Sequence, residues 1–238
     1  MKKILLSCTF LFFLIFFASF VSANYELIVF EDYSTSYYVK GRTLLVEKEL
    51  ILKNTGNVAA IPGEIHFRVS EQHGDSSRGP LIKDVVALHN ANKLDSRVDR
   101  YDTFSDVVVH IWSPLLPDFE YRFTLSYEMD FRPKGVFFHE VVFPVEETTI
   151  PIRERDTRMM LPTGFAVTFA PNANVRSDGL YKIVDWGSRT DLSLEYTRLP
   201  MPQQMPFRMV SVFWLVVLVF LGTLFIFLNL KRSSSKNK

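Results

Sequence analysis

The chain has 238 residues, of which 47% are hydrophobic and 22% charged. That composition excludes a disordered polymer and leaves room for one or two domains. Net charge is only +1, but residues 1–23 hold two Lys and no acid, and residues 208–238 hold five Lys or Arg and no acid. All 26 acids therefore share 24–207 with 20 bases, a net of −6, a compartmentation foreign to a soluble enzyme or a nucleic-acid binder.

The N-terminus reads Lys2-Lys3, then an apolar run from Ile4 to Phe20, then Val21-Ser22-Ala23. A positive start, an apolar stretch and small residues before the cut predict a secretory signal over 1–23, cleaved after Ala23. The run exceeds the usual length of about 7–15 residues, which keeps an uncleaved anchor as the alternative. The only cysteine, Cys8, lies inside this leader, so the mature chain has no thiol or disulfide and must be held by its core. No Asn-x-Ser/Thr sequon follows the leader. The joint absence of disulfides and glycan sites points to a prokaryotic cell membrane, with the endoplasmic reticulum as the alternative.

From residue 24 the pattern alternates with a period of two, as side chains do on a half-buried strand. Ile65/Phe67/Val69, Tyr121/Phe123/Leu125/Tyr127/Met129, Phe165/Val167/Phe169 and Leu192/Leu194/Tyr196 each define one apolar face. Runs at 25–30, 43–53, 106–112 and 136–143 are apolar on both faces in places, which predicts sheet covered from two sides. Leu81, Val85 and Leu88 read as a strand entering a hairpin at Asn90-Ala91-Asn92. Turn residues punctuate the strands at Asn54–Asn57, Pro62-Gly63, Ser113-Pro114, Pro117-Asp118, Pro133–Gly135, Pro162–Gly164 and Ser177–Gly179. The expectation is an all-β, antiparallel sandwich with no helix in 24–207. A change of composition at Pro144–Pro151 divides it into a large sandwich, 24–143, and a small packed β-domain, 144–200.

Leu199 to Pro206 is proline-rich, so 201–208 reads as a stiff stalk. Met209–Leu230 then carries no charge and is long enough, at about 1.5 Å per residue, to cross a hydrocarbon core of about 30 Å. Lys231, Arg232, Lys236 and Lys238 follow, and such positive flanks stay in the cytoplasm, making 231–238 a short basic tail. The topology expected is type I single-pass, with 24–207 outside the cytoplasm. Within the span Gly222 has no small partner four residues away, so pairing through the helix has little support.

The residues that carry chemistry give mostly negatives. His66, His73, His89, His110 and His139 show no ligand spacing; His139-Glu140 opens like a zinc motif, but Phe143 stands where the second His would be. Asp95, Asp99, Asp102 and Asp106, interleaved with Arg97 and Arg100, fit no calcium loop and read as a solvated loop. Arg153-Glu154-Arg155-Asp156-Thr157-Arg158 either recognises an anionic partner or, more simply, is an exposed strand face with cross-strand ion pairs. Tyr33, Tyr37 and Tyr38, in a Ser/Thr context, either stack on sugars or proteins or pack in a sheet, and packing is favoured. No catalytic, cofactor-binding or metal residue is assigned, and no cofactor is expected.

Leu50-Ile51-Leu52-Lys53-Asn54-Thr55-Gly56-Asn57 resembles the strand-and-turn phrase of sandwich modules in archaeal and bacterial surface proteins. Phe119–Tyr127 followed by Met160–Gly164 looks like a membrane-anchored sandwich, and the order of parts is similar to the sandwich–sandwich–span layout of ribophorin I, a non-catalytic oligosaccharyltransferase subunit. The resemblance implies a fold and an accessory role and carries no site residues. The expected function is a non-enzymatic, membrane-tethered binding or assembly module at the cell surface, with a protein or envelope-polymer partner and no nucleic acid. A non-catalytic subunit of a membrane export or glycosylation complex is the first alternative, and a hydrolase with an unrecognised site the second.

Overall fold

The computed structural model describes residues 27–70, 79–190, 192–199 and 207–234, with side chains described at 214–227 in the last segment. The leader and its cleavage site, Cys8, His73, residues 201–206 of the stalk and 235–238 of the tail lie outside the described residues. The elements are β1 Ile28–Lys40, β2 Thr43–Asn54, β3 Gly63–Ser70, β4 Ile82–His89, β5 Asn92–Leu94, β6 Ser96–Arg100, β7 Phe104–Ile111, β8 Glu120–Asp130, β9 Phe138–Val142, β10 Val145–Thr148, β11 Arg155–Pro162, β12 Ala166–Phe169, β13 Asn174–Ser177, β14 Tyr181–Gly187, β15 Ser193–Thr197 and one helix, α1, Phe207–Ser234. The β body is all-β, as the alternation predicts. Asn90 and Ala91 both adopt left-handed backbone (φ 49° and 65°), which turns β4 tightly into β5 at the expected hairpin.

Three sheets form: an eight-stranded one in the order β13-β14-β11-β1-β2-β8-β4-β5, a four-stranded one, β10-β3-β7-β6, and a three-stranded one, β12-β15-β9. Each contains strands from both sides of residue 144. The described pairs are antiparallel except β1 with β11, which run parallel. A parallel neighbour cannot be reached through a tight hairpin, and here the chain returns to β1 only after passing through β2–β10.

The inner face of the large sheet carries Tyr33, Tyr37, Leu44, Val46, Leu50, Leu52, Phe123, Leu125, Tyr127, Met159 and Leu161, all in one core. A register shift between Phe30 and Asp32 inserts an extra residue into β1, which brings Phe30 to the same face as Tyr33. Both smaller sheets lie on this inner face. Phe67 of β3 approaches Phe30 at 6.0 Å, and Phe143, just after β9, approaches Tyr37 at 5.4 Å and Trp186 at 5.2 Å. The expectation of two-sided cover fails for 43–53: β2 alternates, with Leu44, Val46, Lys48, Leu50 and Leu52 buried and Glu47 and Glu49 exposed. Its apolar surplus on the second face, Leu45 and Ile51, is only partly buried. β7 does match, because Val107, Val108 and Val109 are all buried.

Candidate functional site

The inner face is apolar except for a belt of polar side chains, and the belt sits where the two small sheets part. The linker after β9 crosses that gap, since β9 belongs to the three-stranded sheet and β10 to the four-stranded one. Beside the linker lies a cleft of about 270 Å³, lined by Tyr33, Thr35 and Tyr37 of β1, Phe143–Glu146 of the linker and β10, Arg155 and Thr157 of β11, and Arg189, Thr190 and Leu192 between β14 and β15. The parallel register aligns the two halves: Tyr33 faces Arg155 and Thr35 faces Thr157.

Lys48 of β2 contacts three of the lining residues. Its Nζ lies 2.6 Å from Glu146 Oε2, and the two side chains are 0% and 8% exposed. It also donates to Thr35 Oγ1 at 3.1 Å and stands 4.9 Å from the centre of the Tyr33 ring. Desolvation is the largest influence on this ammonium and pulls its pKa below the usual 10.5, Glu146 opposes that, and the Arg155 charge adds to the lowering. Burial likewise pushes the phenols of Tyr33, Tyr37 and Tyr127 well above 10, with the Glu146 charge second in each case. Two polar atoms here are buried with no hydrogen-bond partner: the Tyr33 hydroxyl and Glu146 Oε1.

The structure resolves the alternating stretch at 153–158 into two roles. Arg153 pairs with Glu31 across to β1 at 2.9 Å. On the outward side of β11, Arg158 pairs with Asp156 at 2.7 Å and reaches Ser34 Oγ at 3.3 Å. The first pair is on an exposed face and the second is half-buried. Arg155 and Thr157 point the other way, into the cleft. The tyrosine cluster divides likewise: Tyr33 and Tyr37 pack inward, while Tyr38 sits on the outer face against Tyr181 at 6.1 Å. So the two stretches weighed separately in the sequence meet in one place. Lys48 was missed there, although a cation at the middle of the Leu44/Val46/Leu50/Leu52 face was its signal.

The acidic series does not converge. Asp106 accepts from His66 Nδ1 at 3.0 Å, Asp99 accepts from Arg97 Nε at 3.0 Å, and Asp95 lies 3.7 Å from His110 Nδ1. Arg97 also reaches Glu64 at 3.3 Å and donates to His110 Nε2 at 2.9 Å, building an exposed network on the outer side of the four-stranded sheet. Asp102 stands apart on an exposed bend. His89 donates to the Arg122 carbonyl at 2.6 Å and stacks on Tyr121 at 4.0 Å. His139 lies in β9 with its ring 5.2 Å from Tyr196. Among the described residues no three His, Cys, Asp or Glu side chains are grouped as a metal site.

No family model matches the chain, and no curated protein matches it. Among solved structures, an M1 zinc metallopeptidase from Deinococcus radiodurans is 13% identical with a TM-score of 0.42, over 71% of this chain and 42% of that one. A mutant of that enzyme with a bound Tyr-Ser-Ala substrate aligns with a TM-score of 0.43, over the same shares. A protein from Legionella pneumophila, provisionally called a nutrient binding protein, is 11% identical with a TM-score of 0.47, over 72% of this chain and 67% of that one. The chain thus spans less than half the length of the peptidases it aligns with.

Proposed function

We propose that this is a membrane-tethered, non-enzymatic binding module whose β body is held outside the cytoplasm by α1. The observation that carries the reading is the surface of α1: Leu215, Val216, Leu218, Val219, Phe220, Leu221, Leu224, Phe225, Ile226 and Phe227 are all exposed large apolar side chains. They occupy every side of the helix, with no polar face to turn toward water. Among the described residues no helix is long and apolar enough to cross a membrane, the described side chains of α1 covering 214–227. The length argument therefore comes from the sequence, where Met209–Leu230 is uncharged throughout and basic residues follow it. Near the start of this stretch Trp214 packs with Phe138, Ala166 and Leu199, at the height where an aromatic ring suits the interface.

Alkaline carbonate extraction tests the tether. The full chain should stay with the membrane pellet, and a chain lacking 209–230 should move to the supernatant. Release of the full chain would overturn the reading.

One observation favours the subunit variant, in which a second protein covers the β body. Val58, Ile61, Trp112, Leu116 and Phe119 are exposed on two loops that are joined by the Ala60–Leu115 backbone pair. Scattered apolar residues are ordinary on a surface, but a group this concentrated is typical of contact sites. The patch sits at the Asn54 end of β2. β11 ends at Pro162, toward the Lys40 end of β1, and Ala166, which meets Trp214, follows soon after. The patch thus points away from the tether. Trp112→Ser tests a partner on this patch: loss of a co-purifying subunit supports the variant and an unchanged set of partners overturns it, whereas replacing Met209–Leu230 by an unrelated span tests a subunit held through its helix.

A further inference from the structure

We infer that the cleft between the two small sheets is a binding site for a small oxyanion, a carboxylate- or phosphate-bearing ligand of about the size of a sugar acid. This deepens the binding-module reading and rests on it. The first argument is a contrast within one strand and its approach. Arg153 and Arg158 each hold a carboxylate, at 2.9 and 2.7 Å. Arg155, between them and facing the other way, has no ion pair among the described residues; its guanidinium lies 5.3 Å from the centre of the Tyr33 ring. Arg189, exposed just after β14, the strand that neighbours β11, also has none among the described residues.

The second argument is the charge of the cleft. Among the described lining residues Glu146 is the only acid and Lys48 pairs with it, so the two lining arginines are left in excess over the described carboxylates. A guanidinium presents a flat fork of donors that matches a carboxylate or phosphate in two parallel hydrogen bonds, and partial removal from water strengthens them. The hydroxyls of Thr35, Thr157 and Thr190 offer further donors along the walls. The third argument is the buried Tyr33 hydroxyl, a lining residue's donor with no partner. Size completes the class: 270 Å³ lies just under the roughly 300 Å³ at which small-molecule pockets begin. Such a volume admits one compact group, either a free small acid or the acidic end of a longer envelope polymer.

The test is titration calorimetry on the full chain in detergent micelles, with glucuronate, acetate and inorganic phosphate as probes and a uronate-terminated oligosaccharide as a separate arm. Saturable binding of at least one small probe at millimolar concentration or better, weakened by salt, is expected. Arg155→Gln and Arg189→Gln should each weaken it, Arg155→Gln by about tenfold or more, while Arg153→Gln, on the paired outer side, leaves it unchanged. Arg189 is exposed, so its variant keeps the test valid even if Arg155→Gln folds poorly. Tighter binding of the oligosaccharide than of glucuronate identifies a polymer end as the source; equal or weaker binding identifies a free acid. Absence of binding by every probe, or binding indifferent to both cleft arginines, overturns the inference. Because the assay is run in micelles, that failure leaves the carbonate extraction result standing, and the two readings fall separately.

Discussion

Two ion clusters in this molecule each pair a cation with carboxylate at similar distances and obey different physics. In the cleft, Lys48 and Glu146 meet at 2.6 Å with side chains 0% and 8% exposed. On the outer side of the four-stranded sheet, Arg97 meets Asp99 at 3.0 Å and Glu64 at 3.3 Å in the open. The exposed network behaves as simple attraction: its hydrogen bond to Arg97 lowers the Glu64 pKa, and its carboxylates raise that of Arg97. In the cleft the close carboxylate does not prevail, and burial still lowers the pKa of Lys48. Distance sets how strongly two charges attract, but solvent sets what it costs to bring them there. The exposed pair can be lost cheaply, whereas the buried one must be kept whole or removed whole.

The largest effect should follow from breaking the buried pair. Lys48→Met leaves the Glu146 carboxylate buried and unpaired, and should cost about 3–5 kcal/mol in urea unfolding of the full chain in micelles. Glu146→Leu should cost a similar amount. The double variant should recover at least wild-type stability, because an apolar pair avoids both desolvation penalties. Additive losses in the double variant would erase the contrast between the clusters.

The next effect concerns alkaline pH. Tyr33, Tyr37 and Tyr127 have folded pKa values above 10, so above pH 10 the unfolded chain releases protons that the folded chain keeps, and stability falls. Lys48 acts in the opposite sense. Between its lowered folded pKa and 10.5 the unfolded chain holds the extra proton, so this group alone makes stability rise with pH. Phenolate absorbance should therefore show Tyr38 and Tyr121 ionising above pH 10 because of their partial burial, Tyr196 at about 12, and the three buried phenols only as the chain unfolds. Smooth ionisation of all nine tyrosines near pH 10 would mean that the cleft floor is wet. The smallest effect should come from Arg97→Ala, which should leave the urea midpoint unchanged within error, since exposed ion pairs contribute little. A loss comparable to that of Lys48→Met would refute the comparison from the other side.

Much of the β body was legible because alternation reports directly on which face is buried. Tyr121 to Met129 and Ile65 to Val69 gave their strands that way, and Asn90-Ala91-Asn92 gave its hairpin. The parallel partnership of β1 and β11 was not legible, since no local signal pairs strands separated by most of the chain. That pairing is what makes the cleft. It sets Tyr33 beside Arg155, two residues read in the sequence as parts of unrelated features. Lys48 was the one local clue: in the alternation it takes an apolar position, and a lysine there needs a buried partner. Its partner, Glu146, lies in the acidic interruption that sequence composition marks as a boundary, and the fold uses that interruption to carry the chain across the gap between two sheets.

The proposed placement, with the β body outside the cytoplasm and the C-terminal helix crossing the bilayer, has a direct test. Because the only native cysteine is Cys8, in the proposed leader, single cysteines introduced as Ser177→Cys in the β body and Ser235→Cys near the C-terminus can be labelled on intact cells with a membrane-impermeant maleimide. Labelling of Ser177→Cys on intact cells, and of Ser235→Cys only after permeabilisation, is the predicted result. Protection of the β-body cysteine on intact cells together with labelling of the tail would contradict it.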